Sequence, residues 1–410
     1  MGNGGAIRKM KILFLTSRLP YPPHQGDKLR NWHFLQYLSR EHEIHLLSFY
    51  SHEAEKQYLP TLKEVCTSVT LIKLPFAQSL INCMKAVFGR IPFQVAFYQS
   101  LRMQTQVELA IEHIKPDIIH SHLMRMAPYV IKFENHPKVL DLTDAVSLYL
   151  SRFKQISKNP LLRFIIGKEL KRVLEYENII TKFHSTLICS TVDRRILRER
   201  YQEARIDLIN NSIENNKSFY GRTIKRDPHR IIFMGNMSYP PNSDAVRYFV
   251  QDIFPSILKG IPDAKFYIVG KNPKRSIRSL CSKNIIVTGF VDNIEKEYLA
   301  SSVIVSPVRF GSGALTKVLE PLMLGVPVVS TSVGVEGLQL ENGKEIFITD
   351  DPAQFAKHVI NLIRDPVLWQ RTVDSAKKVS QARFEMDIVG RELVHVYEDV
   401  KCKHIEMSLK

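Results

Sequence analysis

Residues 306–330 combine a glycine-containing loop with charged side chains at spacings that suit nucleotide binding. Arg309 precedes the glycines of residues 311–313, and Lys317 and Glu320 follow on a segment whose apolar residues recur at helical spacing. Free backbone N–H groups at the start of a helix, with cations beside them, can bind a diphosphate. A carboxylate can accept hydrogen bonds from both vicinal hydroxyls of a ribose. The stretch therefore predicts a nucleoside-diphosphate site.

The same stretch also fits an ordinary crossover between parallel strands, without a ligand. In that alternative Lys317 and Glu320, three residues apart, form an ion pair on the helix surface. Pro321 lies inside the helical pattern, where proline costs about 3 kcal/mol unless it sits early or at a kink. We therefore expect a short or bent first turn, and the residues alone leave both alternatives open.

A second candidate loop follows the first predicted strand. Gly26 lies between that strand and a helix rich in aromatic and aliphatic residues, so its backbone can approach a ligand. Asp27 is the next residue, and Lys28 and Arg30 add positive charge. The alternative is that the Pro-Pro-x-x-Gly sequence forms only a turn.

Two further strands of the first half end in polar residues. His120 and His122 close one of them, and we expect alternation to send them to opposite sides of the strand, so that at most one faces a ligand, with His122 favoured. Asp141 and Asp144 follow another strand, where they could orient an acceptor hydroxyl or cap the next helix. No third metal ligand is apparent near the histidines, so we expect no metal site.

Short apolar segments alternate with helical patterns along the chain, which is typical of parallel sheets covered by helices on both faces. The fold class is therefore α/β. We predict strands at residues 11–16, 44–49, 69–74, 117–120, 139–142, 186–190, 206–209, 231–234, 265–269, 285–288, 303–308, 326–330 and 346–349.

A polar, turn-rich stretch near the middle divides these strands into two sets. We expect two doubly wound, Rossmann-like domains that face each other across a cleft. The predicted order is a disordered leader at residues 1–10, a first domain at 11–209, a linker at 210–230, a second domain at 231–381 and a helix at 382–410 that packs back on the first domain.

The composition excludes several classes of protein. The chain has 410 residues, of which 44% are hydrophobic and 24% charged, so it is neither a disordered nor a collagen-like sequence. No apolar run approaches the roughly 18 residues that a membrane-spanning helix needs. The five cysteines lie far apart without a C-x-x-C pair, which argues against a disulfide framework or zinc site and fits a reducing cytoplasm.

The net charge of +16 predicts an anionic partner, and two basic segments suggest which one. Residues 154–172 and 80–98 interleave lysines and arginines with large apolar side chains, a pattern that suits an anionic membrane surface. The alternative is a core face with solvated charges. The basic residues are dispersed and no nucleic-acid-binding module is recognisable, so we expect no nucleic acid partner.

Over nearly its whole length, the chain resembles retaining glycosyltransferases of family 4, which have the GT-B fold. It is most similar to the exopolysaccharide-associated sugar transferases of bacteria. The motifs that carry the resemblance are KVLEPLMLGVPVVS at residues 317–330, LPYPPHQGDKLR at 19–30, REHEIHLL at 40–47 and INNSIE at 209–214.

The resemblance implies roles for individual residues. Glu320 matches the second carboxylate of the family's E-x7-E pattern, which holds the donor ribose, whereas Ser312 stands in the place of the first. His122 matches the position that hydrogen-bonds the transferring sugar. Many members carry an arginine and a lysine after the second domain's first strand, but this chain has Gly235 and the residues that follow it. We therefore assign the phosphate-binding charges to Arg309 and Lys317.

The expected site thus has three parts. The residues expected to act catalytically are His122, Arg309 and Lys317. Those expected to bind the donor are Gly26, Gly235, Asn236, Gly289, Phe290, Gly311, Ser312, Gly313, Ala314, Leu315, Thr316 and Glu320. Those expected on the acceptor side are Asp27, Lys28, Asp141 and Asp144.

The cysteines favour a cytoplasmic protein, and the basic segments suggest one that is peripheral to the inner membrane face. The resemblance implies a sugar transferase. It would transfer a hexosyl group from a UDP- or GDP-linked sugar to a glycan or polyprenyl-diphosphate-linked acceptor, with retention and without a metal or other cofactor. Two alternatives stay open: a GT-B scaffold protein that is catalytically weakened because Ser312 replaces a carboxylate, and a basic nucleic-acid-binding protein.

Overall fold

A computed structural model describes residues 9–214, 224–314 and 316–408 of the chain. Most of the expected leader, part of the expected linker and Leu315 lie outside the described residues. Contacts divide the chain into two units. Unit 1 contains Met1–Ser212 and Met386–Lys410, and unit 2 contains Ile213–Glu385.

Unit 1 is built on a parallel sheet of seven strands in the described residues, ordered β3-β2-β1-β4-β5-β6-β7. The order reverses between β1 and β4, which is the switch point of a doubly wound sheet. The strands are β1 (Lys11–Thr16), β2 (Glu43–Tyr50), β3 (Ser68–Lys73), β4 (Ile118–His122), β5 (Lys138–Thr143), β6 (Ser185–Ile188) and β7 (Ile206–Leu208).

Helices cover both faces of this sheet. Leu13 of β1 packs in one apolar cluster and its neighbour Phe14 in another, which explains why the strand is apolar without alternation. The unit 1 helices before its last segment are α1 (Gly26–Leu38), α2 (Leu59–Val65), α3 (Phe76–Ala86), α4 (Phe93–Phe97), α5 (Leu101–Ile114), α6 (Val146–Ile156), α7 (Pro160–Tyr176) and α8 (Thr191–Arg200).

Unit 2 has a parallel sheet of six strands in the described residues, ordered β10-β9-β8-β11-β12-β13, with its switch point between β8 and β11. Its strands are β8 (Arg230–Met234), β9 (Lys265–Val269), β10 (Ile285–Gly289), β11 (Val303–Ser306), β12 (Val328–Ser330) and β13 (Phe347–Ile348). Its helices are α9 (Pro240–Tyr248), α10 (Phe254–Gly260), α11 (Arg275–Arg278), α12 (Ile294–Leu299), α13 (Thr316–Leu324), α14 (Ser332–Val335), α15 (Pro352–Arg364) and α16 (Pro366–Phe384).

The last helix, α17 (Met386–Ser408), belongs to unit 1. Its Leu393 and Tyr397 are fully buried in the apolar cluster that also contains Phe34 of α1. The two helices approach closely at Gly390, where a Cβ atom would lie 2.2 Å from the ring of Tyr37.

The α/β class and the two doubly wound sheets are confirmed, and each predicted strand is present. The basic segment at residues 154–172 is not one continuous helix, because it spans the end of α6 and most of α7. Its interruption has a local cause, because Asn159 caps α7 by accepting from the Leu162 N–H and Pro160 takes the first helical position. No helix within the described ranges is long and apolar enough to span a membrane.

Candidate functional site

In unit 2, the candidate site lies where two neighbouring strands end. Gly235 and Asn236 follow β8, and residues 307–314 follow the adjacent β11, before α13. Ligands of doubly wound sheets bind outside the carboxyl ends of the strands at such a switch point. The topology therefore brings together the residues predicted from the loop and helix with those predicted after β8.

Lys317 is in the first turn of α13 and is held over the sheet end. Its Nζ donates a hydrogen bond to Asn242 Oδ1 and lies 4.9 Å from the centre of the Phe233 ring. Burial lowers the pKa of Lys317 to about 7, against a smaller opposing effect of Glu320. A phosphate beside Lys317 would stabilise its charged form, which burial makes unfavourable.

Glu320 is one turn further along α13 and contacts a different helix. Its Oε2 accepts a hydrogen bond from Tyr298 Oη at 3.3 Å. Burial raises the pKa of Glu320 to about 7, while the Tyr298 hydrogen bond lowers it. Lys317 and Glu320 thus have their hydrogen-bond partners on α9 and α12, which differs from the surface ion pair of the alternative interpretation.

Arg309 follows β11 and is already paired. Its Nε and Nη2 donate to the two carboxylate oxygens of Asp244, at 2.9 and 2.6 Å, and its guanidinium lies 4.7 Å from the centre of the Tyr248 ring. The pair raises the pKa of Arg309, first through its hydrogen bonds. A phosphate at this position would have to share the arginine with Asp244.

Two glycines allow the strand ends to approach. A Cβ on Gly235 would lie 2.5 Å from Asn242 Nδ2, the amide whose oxygen accepts from Lys317. Gly270 has φ of +139°, and a Cβ there would lie 1.9 Å from the carbonyl oxygen of Gly235. The position of Lys317 therefore depends on glycine at both sites.

The other unit 2 candidates are less closely grouped. Asn236 uses its Oδ1 to accept from the N–H and hydroxyl of Ser238. Gly289 and Phe290 lie at the end of β10, which is separated from β8 by β9. The remaining described candidates are in the loop or at the start of α13: Gly311, Ser312, Gly313, Ala314 and Thr316.

In unit 1, Arg30 and Asp141, which we expected to lie near a ligand, are core residues instead. Arg30 and Asp141 have fully buried side chains and form an ion pair, with Nε to Oδ2 at 2.7 Å. Burial would raise the pKa of Asp141, but Arg30 and two nearby histidines bring it below its usual value. This corrects two expectations, since Arg30 adds no positive charge to a ligand loop and Asp141 offers no oxygen to an acceptor.

Both histidines of β4 are buried, and both contact the α1 side of the sheet. Residues two apart on a strand share a face, so the side chains of the two histidines do not lie on opposite sides of the sheet. His120 Nδ1 lies 2.7 Å from Tyr397 Oη, and His122 Nδ1 lies 3.0 Å from Asn31 Nδ2. Burial lowers the pKa of His122 to about 4, so its ring is neutral at pH 7.

The start of α1 carries the other unit 1 candidates. Gly26 is the first residue of the helix rather than part of the loop before it, and Lys28 is partly buried. Asp27 pairs with Arg18. Asp144, partly buried, directly precedes Ala145, which is the N-cap residue of α6. Among the described residues, no group of three or more His, Cys, Asp or Glu side chains could hold a metal ion.

Three residues of the site were not predicted. Asn242, Asp244 and Tyr298 hold Lys317, Arg309 and Glu320 in place. The only signal in the sequence is the pair of prolines at the start of α9, which predicts a helix start but not the roles of Asn242 and Asp244. Nothing in the sequence singles out Tyr298.

Known proteins are similar to this chain in part or over most of its length. Residues 228–365 match the family model of glycosyl transferases group 1. An uncharacterized 44.6 kDa protein in the cps region of Klebsiella pneumoniae is 24% identical over 374 residues, which are 86% of this chain and 90% of that protein. TuaC of Bacillus subtilis, named as a teichuronic acid biosynthesis glycosyltransferase, is 30% identical over 145 residues, 35% of this chain and 36% of TuaC.

The fold is also similar to that of a solved structure. HepE from Anabaena, in complex with UDP and glucose, superposes with a TM-score of 0.67 at 14% identity, covering 95% of this chain and 100% of HepE. Together the matches support a glycosyltransferase with the GT-B fold, in which residues 228–365 are similar to the glycosyl transferases group 1 family.

Proposed function

We propose that this protein transfers a hexosyl group from a UDP- or GDP-linked sugar to a glycan or polyprenyl-diphosphate-linked acceptor in exopolysaccharide biosynthesis. The cps-region relative and TuaC support a role in polysaccharide synthesis. The binding of UDP and glucose by HepE supports a nucleotide-sugar donor. The proposed reaction retains the anomeric configuration and needs no metal, as the resemblance to family 4 implies.

The observation that carries the proposal is the pair Lys317 and Glu320 on the first two turns of α13. One cation and one carboxylate, both partly buried, stand beside the switch point of the unit 2 sheet. Their pKa values are moved in opposite directions, toward about 7, by burial. A diphosphate and a ribose are the two parts of a nucleotide that such groups bind.

In the proposed reaction, the bond from the sugar to the diphosphate breaks and the electron pair moves onto the leaving phosphate. Lys317 and Arg309 would stabilise that charge without a metal, together with backbone N–H groups before α13. The acceptor hydroxyl attacks from the leaving-group face, and the departing phosphate oxygen takes its proton. His122 would exchange its 3.3 Å contact with Thr143 for a hydrogen bond to the sugar.

We further propose that unit 1 binds an anionic membrane surface at the inner face of the cytoplasmic membrane. Arg172 of α7 donates to the backbone oxygen of Val87, so the two basic segments adjoin. The apolar basic face comprises the exposed apolar residues Phe76, Leu80, Ile81, Met84, Val87, Phe88, Ile91, Leu161, Leu162, Phe164 and Ile165 and the exposed cations Lys85, Arg90, Lys154, Lys158, Arg163, Lys168 and Lys171. Such a combination favours anionic lipid.

The test of the function is turnover. Purified protein is mixed with membranes from an exopolysaccharide-producing bacterium, and release of UDP or GDP from a panel of nucleotide sugars is measured. We expect release with at least one donor, and we expect Lys317→Gln and Glu320→Gln each to reduce it at least tenfold. Val367→Gln, at an exposed position of unit 2, is the control.

Two results would contradict the proposal. Full activity of Glu320→Gln would remove the assignment of the ribose contact. Absence of turnover by the parent with every donor, together with intact nucleotide binding, would favour the scaffold protein that Ser312 suggests.

A further inference from the structure

Unit 1 contains a pocket that the proposed reaction has not used. It has a volume of about 350 Å³ and lies between α3, the start of α5 and the loop after β4. Its wall includes Arg125 and no carboxylate. A pocket with one cation and no opposing anion in its wall is suited to a negatively charged ligand.

Arg125 is held with its outer guanidinium atoms uncommitted. Its Nε donates to Ser17 Oγ at 3.0 Å, and the guanidinium stacks 4.7 Å from the centre of the Tyr98 ring. Within the described residues it has no ion pair, whereas its neighbour Arg18 is neutralised by Asp27. A guanidinium fixed on one edge offers its free N–H groups to a phosphate or carboxylate in bidentate fashion.

Part of the remaining wall is polar, and its polar groups are already ordered. Asn82 Nδ2 donates to the Gln99 backbone oxygen at 2.9 Å, and Gln78 Nε2 donates to Asn82 Oδ1 at 3.3 Å. Tyr129 Oη donates to the backbone oxygen of Tyr98. Amides and aromatic rings of this kind suit sugar hydroxyls and sugar faces. Because they are linked to each other, little ordering is needed when a ligand binds.

The pocket opens beside the apolar basic face. Gln78 and Asn82 line the pocket from α3, and Ile81 of that face, three residues after Gln78 on the same helix, is 44% exposed. Leu101, on the pocket wall, is 88% exposed. A ligand with its charged group at Arg125 could therefore lay an apolar chain on the adjoining surface without leaving the protein.

We propose that the Arg125 pocket binds the phosphate of an amphipathic acceptor, whose hydrocarbon chain lies against the apolar basic face. This inference rests on the proposed function and names the site in unit 1 that selects a lipid-linked acceptor. Arg125 is a specificity-determining residue in this account, and it takes no part in breaking the donor bond.

The probes are dodecyl phosphate below its micelle concentration, inorganic phosphate, dodecyl maltoside and UDP, each titrated calorimetrically into the full chain. We expect dodecyl phosphate to bind tightest of the three acceptor probes. Arg125→Gln should weaken it at least tenfold, and Arg125→Lys less, because lysine keeps the charge but not the bidentate geometry. Arg102→Gln, which removes an exposed arginine of α5, should have no effect.

The UDP titration separates this inference from the function on which it rests. UDP affinity unchanged in Arg125→Gln shows that the variant is folded, and loss of UDP binding in the parent would count against the donor site alone. Equal binding of dodecyl phosphate by the parent and Arg125→Gln would overturn the pocket assignment. Equal affinity for inorganic phosphate and dodecyl phosphate would overturn the amphipathic acceptor.

Discussion

Lys317 and Glu320 lie one turn apart on α13, and burial disfavours the charged form of each side chain. The pKa of the lysine is lowered to about 7 and that of the carboxyl is raised to about 7. Each group therefore changes charge within the physiological pH range. A bound diphosphate would favour the charged form of Lys317, and a bound ribose would favour the ionised form of Glu320, whose two oxygens can each accept from a hydroxyl.

The first prediction concerns pH. Since a diphosphate binds the protonated lysine, UDP affinity should fall as pH rises from 7 to 9, approaching about tenfold per unit above the pKa of Lys317. Lys317→Arg should abolish this dependence because arginine stays charged. Calorimetric titration of UDP at several pH values measures it.

Uridine is the matched control for that experiment, because it reports the ribose contact with Glu320 but has no phosphate. An identical decline for uridine and UDP, or for the parent and Lys317→Arg, would contradict the assignment of Lys317 to the diphosphate.

The second prediction concerns the buried pair Arg30–Asp141. Arg30→Met leaves a buried carboxylate without its cation and should lower the free energy of unfolding of unit 1 by about 3–5 kcal/mol. Arg40→Met, which breaks the exposed pair with Asp387, should cost less than about 1 kcal/mol. Urea unfolding followed by the fluorescence of Trp32, in a Trp369→Phe host, reports unit 1 separately. Similar losses in both variants would be inconsistent with this account.

At this scale the sequence predicts some contacts and misses others for a definite reason. The spacing of Lys317 and Glu320 within one helix is visible in the sequence, so their roles could be proposed. Their partners are 75 and 22 residues away, and such pairs depend on tertiary packing. The same is true of Arg30 and Asp141, which lie 111 residues apart. For this reason the predicted surface roles of that pair were wrong.

Among the elements, the strand ends of unit 2 depend on glycine to different degrees. Gly270 and Gly289 both have positive φ, +139° and +77°, but only a Cβ on Gly270 would meet the backbone, at Gly235. A side chain at Gly270 would therefore cause both backbone strain and a steric clash, whereas one at Gly289 would cause backbone strain alone.

The third prediction follows from this contrast. Gly289→Ala should destabilise unit 2 by about 1–2 kcal/mol, the cost of a left-handed conformation in an L-residue. Gly270→Ala should cost more and should weaken UDP binding, because it displaces Gly235 and with it Asn242. Urea unfolding reported by Trp369 in a Trp32→Phe host, with UDP titration, distinguishes the two. The prediction fails if the two variants are equally stable.

Helix ends were harder to predict than strands. The sequence pattern runs through residues 154–172 because apolar and basic side chains continue across the break, but Asn159 and Pro160 end one helix and start the next. The signal was present as a cap residue before a proline, and the periodicity on either side outweighed it.

For the whole molecule, the alternation of apolar strands with helices was sufficient to predict both sheets, because parallel strands buried on two faces have few alternatives. Strand order and the switch points follow from pairing between distant segments, which periodicity does not reveal. The apolar basic face was predicted as two segments. Only the structure shows that they adjoin, through Arg172 and Val87.

The fourth prediction tests that face. Phe88 is 97% exposed and Phe164 60% exposed, so Phe88→Ser with Phe164→Ser should leave the fold intact and reduce sedimentation with vesicles of phosphatidylglycerol and phosphatidylcholine. High salt should also release the protein, because electrostatic attraction is screened. Val367→Ser, which removes a side chain 76% exposed in unit 2, is the control. Unchanged sedimentation of the double variant, or retention at high salt, would count against the proposed surface.

The measurement that tests the central claim most directly is thermal unfolding of the parent and Lys317→Gln with UDP, GDP and ADP. The account predicts that one nucleotide, at 100 times its dissociation constant for the parent, stabilises the parent by about 2.7 kcal/mol and Lys317→Gln by much less. If no nucleoside diphosphate stabilises the parent, or if one stabilises both proteins equally, unit 2 does not hold a diphosphate at Lys317.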